Sequence, residues 1–223
     1  MSPVNFLDTK RQLLTRAYQD CKSTHVAFVD ESAVVPNIAT GHSYYFACAY
    51  VAPVILHQSI REALIDIAGG DYWHTSEAHR DESQRATIHD LCKYIGEGAD
   101  DEGVLIAARR PIRHDDPDGE LAREACLSVL LSALHAGEAF GPVALTVLEE
   151  RRRTSQRNRD ESTIKRLRTS DSIGRMQTHF TTPSIEPLLW VPDFVAFAQG
   201  LRERRLDFDY IDHCADKVRI LEA

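Results

Sequence analysis

The sequence offers few devices for stapling or anchoring itself. Its five cysteines (Cys21, Cys48, Cys92, Cys126 and Cys214) are far apart, odd in number and never spaced as CxxC, which argues against a disulfide framework or a zinc ribbon. Scattered thiols of this kind belong in a core, as small apolar groups. Long apolar runs are missing as well. The longest, Tyr44 to Leu56, is short of the roughly 18 to 20 residues that cross a bilayer, so no membrane partner is expected. The opening MSPVNFLDTKRQ lacks the charged-then-apolar layout of a secretion signal, and the expected location is the cytoplasm. No internal repeat, linker or low-complexity tract interrupts the chain. His74 and His79 are i, i+5 rather than the i, i+4 of a zinc-binding helix pair, which argues against a zincin.

What is present is ordinary in bulk and uneven in detail. At 223 residues, the chain is long enough to bury a real core as one large domain or two small ones. The formal charge of −8 argues against wholesale nucleic-acid binding, but it is an average. Between Arg151 and Arg168, eight basic residues face only Asp160 and Glu161, so this segment is +6 and the remainder of the chain is −14. Such a run is usually a solvated helix of exchanging salt bridges. Its position directly after a strand that ends in acids is also where a nucleic-acid backbone would lie.

Apolar spacing predicts a first helix over 6–21, where Leu13, Leu14 and Tyr18 recur at helical intervals. Strands are expected at THVAFVD (24–30) and SYYFACAYVA (43–52), paired antiparallel across a loop containing Pro36 and Gly41. A helix over 57–68 stops at Gly69-Gly70, and another runs from about Ser76 to Gly96. GVLIAARRPI is a third strand, broken by Pro111. An amphipathic helix over 118–137 follows, with Asp118 as its cap and Gly137 as its stop. GPVALTVLEE makes a fourth strand and GRMQTHFTTP a fifth, and 184–205 and 209–221 close the chain as helices. Strands first, then alternation, then terminal helices describe an α/β domain with a mixed sheet.

Two of these strands run apolar into acids: the first into Asp30 and Glu31, the fourth into Glu149 and Glu150. If adjacent and parallel, they deliver Asp30 and one of the glutamates to the sheet edge where open α/β folds keep their sites. Glu77, at the start of a helix, and Asp193, within LLWVPDFVAFA, are acids in apolar company. A carboxylate buried there is costly unless paired. Converging carboxylates repel, so either some protonate or divalent cations neutralise them. All-oxygen donors suit Mg²⁺ or Mn²⁺, and two such ions make a site for in-line phosphoryl displacement. The plainer readings are solvated loop acids at Asp30, surface pairing of Glu149 and Glu150 with Arg151 to Arg153, and a helix-start acid at Asp193 behind Pro192.

The segments VAFVDES, WHTSEAH, LTVLEERR and LLWVPDFVAFA, in this order and spacing, resemble the motifs of the domain of unknown function 3800 family, whose members have a ribonuclease H-like fold. The resemblance covers about 25–199. It implies a ribonuclease H-like α/β domain with a mixed five-stranded sheet flanked by helices. The core then spans about 24–200, with helical additions at 1–22 and 205–223. It maps the family's Asp-Glu-Ser onto Asp30, Glu31 and Ser32, a His and Glu three apart onto His74 and Glu77, a strand-end acid onto Glu149, and a helical Asp onto Asp193. The strand-end acid of the family is usually Asp, and the glutamate pair here leaves Glu150 as the alternative by one residue.

The expected function is therefore Mg²⁺- or Mn²⁺-dependent phosphodiester cleavage. Asp30, Glu77, Glu149 and Asp193 would be metal ligands and His74 a proton-transfer or supporting group. Arg151, Arg152 and Arg153 would bind the phosphates of DNA or RNA, with Glu31, Ser32 and Glu150 in support. The alternatives are an inactive module that grips nucleic acid or protein, and a metal hydrolase acting on a small phosphoester.

Overall fold

The computed structural model describes residues 3–21, 23–36, 41–138, 140–151, 153–206 and 208–223, with backbone alone for 3–6. Its framework is a mixed sheet of six strands: β1 (His25–Val34), β2 (Tyr44–Pro53), β3 (Gly103–Arg109), β4 (Leu145–Glu149), β5 (Gln177–Thr181) and β6 (Val218–Glu222). They lie in the order β5-β4-β1-β2-β3-β6. β1, β2 and β3 form an antiparallel meander, β4 lies parallel to β1, β5 to β4, and β6 to β3. β2 alone therefore runs against the other five. The helices are α1 (Pro3–Asp20), α2 (His57–Ala68), α3 (Thr75–Arg80), α4 (Arg85–Gly96), α5 (Glu120–Ala136), α6 (Thr154–Thr169) and α7 (Trp190–Glu203). None of the described helices is long and apolar enough to cross a membrane.

Strand alternation sorts the apolar side chains onto two faces. Val26 and Phe28 of β1 share one core with Leu14 of α1, Leu64 of α2, Leu91 of α4 and Phe194 of α7. Ala27 and Val29 turn the other way, into a core shared with Leu127 and Leu130 of α5 and Ile164 of α6. Trp190, Val191, Phe194 and Val195 make the buried stripe of α7. Each such side chain contributes about 1.5–3 kcal/mol by leaving water. Pro192 falls in the first turn, where its missing N–H costs no helical bond. Gly200 lets α7 lie close over β2, since a Cβ there would collide with the Tyr44 hydroxyl.

Four expectations are corrected. The sheet has six strands rather than five, because 218–222 is a strand and not part of a closing helix. Val218 and Ile220 are β-branched, and the segment pairs along the free edge of β3 from Val104↔Val218 to Ala108↔Glu222. Two short 3₁₀ turns, Tyr210–His213 and Ala215–Lys217, occupy the rest of the expected helix. The single helix expected over 76–96 is broken at Asp81. This residue is extended (φ −90°, ψ 111°), and its carboxylate accepts from Ser83 N (3.0 Å) and Ser83 Oγ (2.7 Å). The cap of α5 is Asp116, which accepts from Leu121 N (3.0 Å) and Ala122 N (2.8 Å), while Asp118 makes only a longer bond to Glu120 N (3.3 Å). Finally, β1 does not end at Asp30 but continues to Val34, paired with β2 throughout.

Candidate functional site

β1 and β4 are adjacent and parallel, and their ladder runs from Val26↔Leu145 to Val29↔Leu148. The next step along each strand is Asp30 and Glu149. Both have the parity of Phe28 and Val147, so both face the side covered by α7. Asp193, in the first turn of α7, comes down onto the same place. Asp30, Glu149, Asp193 and His74 line one cleft of about 390 Å³, together with Glu31, Arg123, Arg151 and Arg153. The four acidic and imidazole groups come from four separate segments, and it is the fold that assembles them.

The electrostatics of this cleft are dominated by desolvation and like charge. Burial, a hydrogen bond to Glu149 and the further charges of Glu149 and Asp193 push the Asp30 carboxyl well above the usual carboxylate range, against the opposing pull of Arg123. Such surroundings favour the protonated form of Asp30, and a cation would relieve the same repulsion. Asp193 is also raised, chiefly by burial, although Thr75 and His74 work against the shift. Its Oδ2 accepts from Thr75 N (2.9 Å) and Thr75 Oγ1 (2.8 Å), and Trp73 Nε1 in turn donates to Thr75 Oγ1 (2.9 Å). Asp193 lies, as expected of a helix-start acid, in the first turn of α7, and it also caps α3. Asp193 also lines the cleft.

Of the other sequence candidates, Glu31 and Glu150 also line the cleft but with their carboxylates engaged by basic side chains, and Glu77 and Ser32 lie outside it. Glu77 is exposed, lies outside the cleft and accepts from Tyr72 Oη (3.1 Å). It lies in the first turn of α3, whereas His74 precedes the helix in extended backbone (φ −149°, ψ 110°), so the two do not share a helical face. Glu150 has the opposite parity to Glu149. It meets Lys10 and Arg157 (2.5 Å), leaving Glu149 as the partner of Asp30. Ser32 hydrogen-bonds the Tyr44 hydroxyl. Glu31 turns to the opposite face, against Tyr45 Oη and Arg123.

The basic segment is mostly engaged with acids of its own chain. Arg151 is largely buried and forks onto Glu120 (2.8 and 3.1 Å). Arg157 pairs with Glu161 (2.9 Å), Arg159 with Glu120 (3.5 Å) and Arg166 with Glu124 (2.7 Å). Arg153 is exposed and lines the cleft, whereas Arg152 lies outside the described residues. Of the two described arginines expected to hold phosphates, Arg153 is exposed on the cleft, whereas Arg151 is tied to Glu120.

Sequence reading missed the polar network beneath this cleft. Arg123 forks onto Asp160 (2.7 and 2.8 Å) and donates to Tyr45 Oη (2.6 Å). Both charges are nearly fully buried. A signal existed: Arg123 lies on the buried stripe of α5 with Cys126, Leu127 and Leu130 at helical spacing, and Asp160 lies on that of α6 with Thr163, Ile164 and Leu167. The reasoning that singled out Asp193 applies to both.

The donor set of the cleft fits hard divalent cations. It offers carboxylate oxygens from Asp30, Glu149 and Asp193, one imidazole, and mutual repulsion that a cation would relieve. No three of these groups bring ligand atoms within 4.8 Å of one another; among the described residues that spacing is reached by His89, Asp209 and His213. Thr181, the register partner of Glu149 on β5, also buries a hydroxyl with no partner among the described residues.

Comparison with known proteins brought no match to any protein-family model and none to a curated sequence.

Proposed function

We propose that this protein is a ribonuclease H-like, divalent-metal-dependent phosphodiesterase acting on nucleic acid. The observation that carries the proposal is the pairing of Asp30 with Glu149 on adjacent parallel strands, under an acid, Asp193, delivered by a helix. The fold assignment is supported by an antiparallel β1-β2-β3 meander with β4 and β5 added in parallel beside β1; β6 is an addition at the far edge. Asp30, Glu149 and Asp193 would hold Mg²⁺ or Mn²⁺. Such ions supply the positive charge that offsets both the carboxylates and the charge developing on a phosphoryl group. Thr75, anchored by Trp73, fixes the rotamer of Asp193. His74 borders the cleft and its charge acts on Asp193, which suits a role in holding or moving a proton at the leaving or attacking oxygen. Arg153 stands where a phosphate of the chain entering the cleft would pass.

One observation favours a second reading. Because most of the α6 arginines are already paired, the described surface offers less free positive charge than the sequence implied. A cleft of about 390 Å³ also accommodates a small phosphoester. Incubating wild type and Glu149→Gln with Mn²⁺ and a mixed pool of single- and double-stranded DNA and RNA separates the readings. Cleavage by wild type alone is the expected result. Release of phosphate from nucleotides without polymer cleavage selects the small-substrate reading, and no Mn²⁺-dependent hydrolysis of either kind rejects both.

A further inference from the structure

A second group of ligating side chains lies away from the carboxylate cleft and shares no residue with it. His89 sits on α4, beside the buried stripe of Ile88, Leu91 and Cys92. Asp209 and His213 belong to the segment that leads from α7 to β6. Tyr210 and Ile211, both buried, seat this segment against α4. His89 Nδ1 is 3.1 Å from His213 Nε2 and 3.5 Å from Asp209 Oδ1, and one donor atom from each residue lies within 4.8 Å of the others. The Tyr210 ring meets His89 edge-on at 4.5 Å, and the two imidazoles cross at 82°.

We propose that His89, Asp209 and His213 bind one divalent transition-metal ion of the zinc type, with a fourth position left to water. The spacing supports this directly. A tetrahedral ion with bonds of about 2.0–2.1 Å sets its ligand atoms about 3.3–3.4 Å apart, and two of the three donor separations, 3.1 and 3.5 Å, lie on either side of that spacing. Hydrogen bonding alone satisfies the group poorly. A proton on His89 Nδ1 can serve His213 or Asp209 well, but not both, whereas three lone pairs directed at one cation leave no conflict. Two imidazoles and one carboxylate are also the donor mixture that zinc-type ions prefer, in contrast to the oxygen-rich cleft. The bound ion joins α4 to the segment before β6, across 124 residues of chain, and so fastens the sixth strand to the body of the fold. This inference does not rest on the function proposed for the cleft.

The test is a Zn²⁺ titration of the full chain by calorimetry, using wild type, His89→Ala, His213→Ala and the double variant, with Asp30→Asn as the control. His213 is exposed, so its removal leaves no cavity. Asp30→Asn should bind one equivalent of Zn²⁺, wild type should bind that equivalent besides any taken by the cleft, and each histidine variant should bind it at least about 10-fold more weakly. Co²⁺ added to wild type should show the visible absorption of a four-coordinate ion, and the double variant should not. Zn²⁺ binding in wild type no tighter than in the double variant overturns the proposal. So does binding lost in Asp30→Asn but kept in the double variant, which would put the ion in the carboxylate cleft.

Discussion

Asp30 of β1 and Glu149 of β4 stand side by side, one step beyond the last paired residues of two parallel strands, and share a hydrogen bond. Burial and the neighbouring Glu149 favour the neutral form of the Asp30 carboxyl, and this sets how the protein should respond to pH. The Asp30 carboxyl is raised by burial and by Glu149, so the folded state holds a proton that the unfolded chain releases. For a raised carboxyl, the stabilisation is fully present below the unfolded value near 3.9 and is lost as pH rises through the folded value. The melting temperature of Asp30→Asn minus that of wild type, measured without metal, should therefore grow as pH increases from about 4 upward. A difference independent of pH would mean that Asp30 ionises as freely in the folded protein as in the unfolded chain.

Asp193 should separate two roles by two substitutions. Asn keeps an oxygen for Thr75 and removes the charge, whereas Ala leaves Thr75 N and Oγ1 without their acceptor. Hydrogen bonds to a charged group contribute about 1.5–3 kcal/mol each. In metal-free protein, Asp193→Asn should melt at or above wild type, and Asp193→Ala should lose a few kcal/mol in urea unfolding. Both should lose hydrolytic activity. An active Asp193→Asn would remove Asp193 from the metal ligands.

Mg²⁺ or Mn²⁺ should raise the melting temperature of wild type with the logarithm of concentration. Glu149→Gln should abolish that rise and reduce cleavage on the order of 10³-fold, since charge stabilisation by the ions is a matter of several kcal/mol. Glu77→Gln should leave both unchanged, because Glu77 is exposed and bonded to Tyr72. Equal loss in the two variants would contradict the placement of Glu77.

Arg123→Ala strands the buried Asp160 and should cost about 3–5 kcal/mol, the usual result of removing one partner from a buried pair. Arg123→Lys keeps the charge but not the fork onto two oxygens, and should fall between Ala and wild type. Denaturant unfolding of the three proteins gives the order.

Among the arginines, salt dependence distinguishes substrate contacts from structural ones. Arg153→Gln should reduce the slope of log K against log salt for nucleic-acid binding by about one unit, leaving the melting temperature unaltered. Arg151→Gln should do the reverse, because Arg151 is tied to Glu120. A slope unaffected by Arg153→Gln would remove Arg153 from the phosphate path.

Much of this was legible in sequence because the relevant patterns are local. The apolar runs into Asp30 and Glu149 announced the two strands, and an acid within LLWVPDFVAFA announced the helix that meets them. What was not legible depended on partners far along the chain. β6 exists because β3 has an open edge, which no reading of 209–221 alone contains. Glu77 looked as good as Glu149 because a first-turn acid has the same local sequence whether it faces inward or outward. The pairing of α6 arginines depends on acids of α5 more than 30 positions away, such as Glu120 and Glu124.

One consequence of strand length reaches beyond the chemistry. β4 stops at Glu149 while β1 continues to Val34, and β5 supports β4 only as far as Glu149↔Thr181. Each acid is nonetheless mounted on laddered backbone, Asp30 opposite Cys48 of β2 and Glu149 opposite Thr181 of β5. A loop could drift apart to relieve like charge, but a ladder cannot. The cleft consequently has a rigid floor, and on the function proposed here it would respond to its surroundings through occupancy rather than shape.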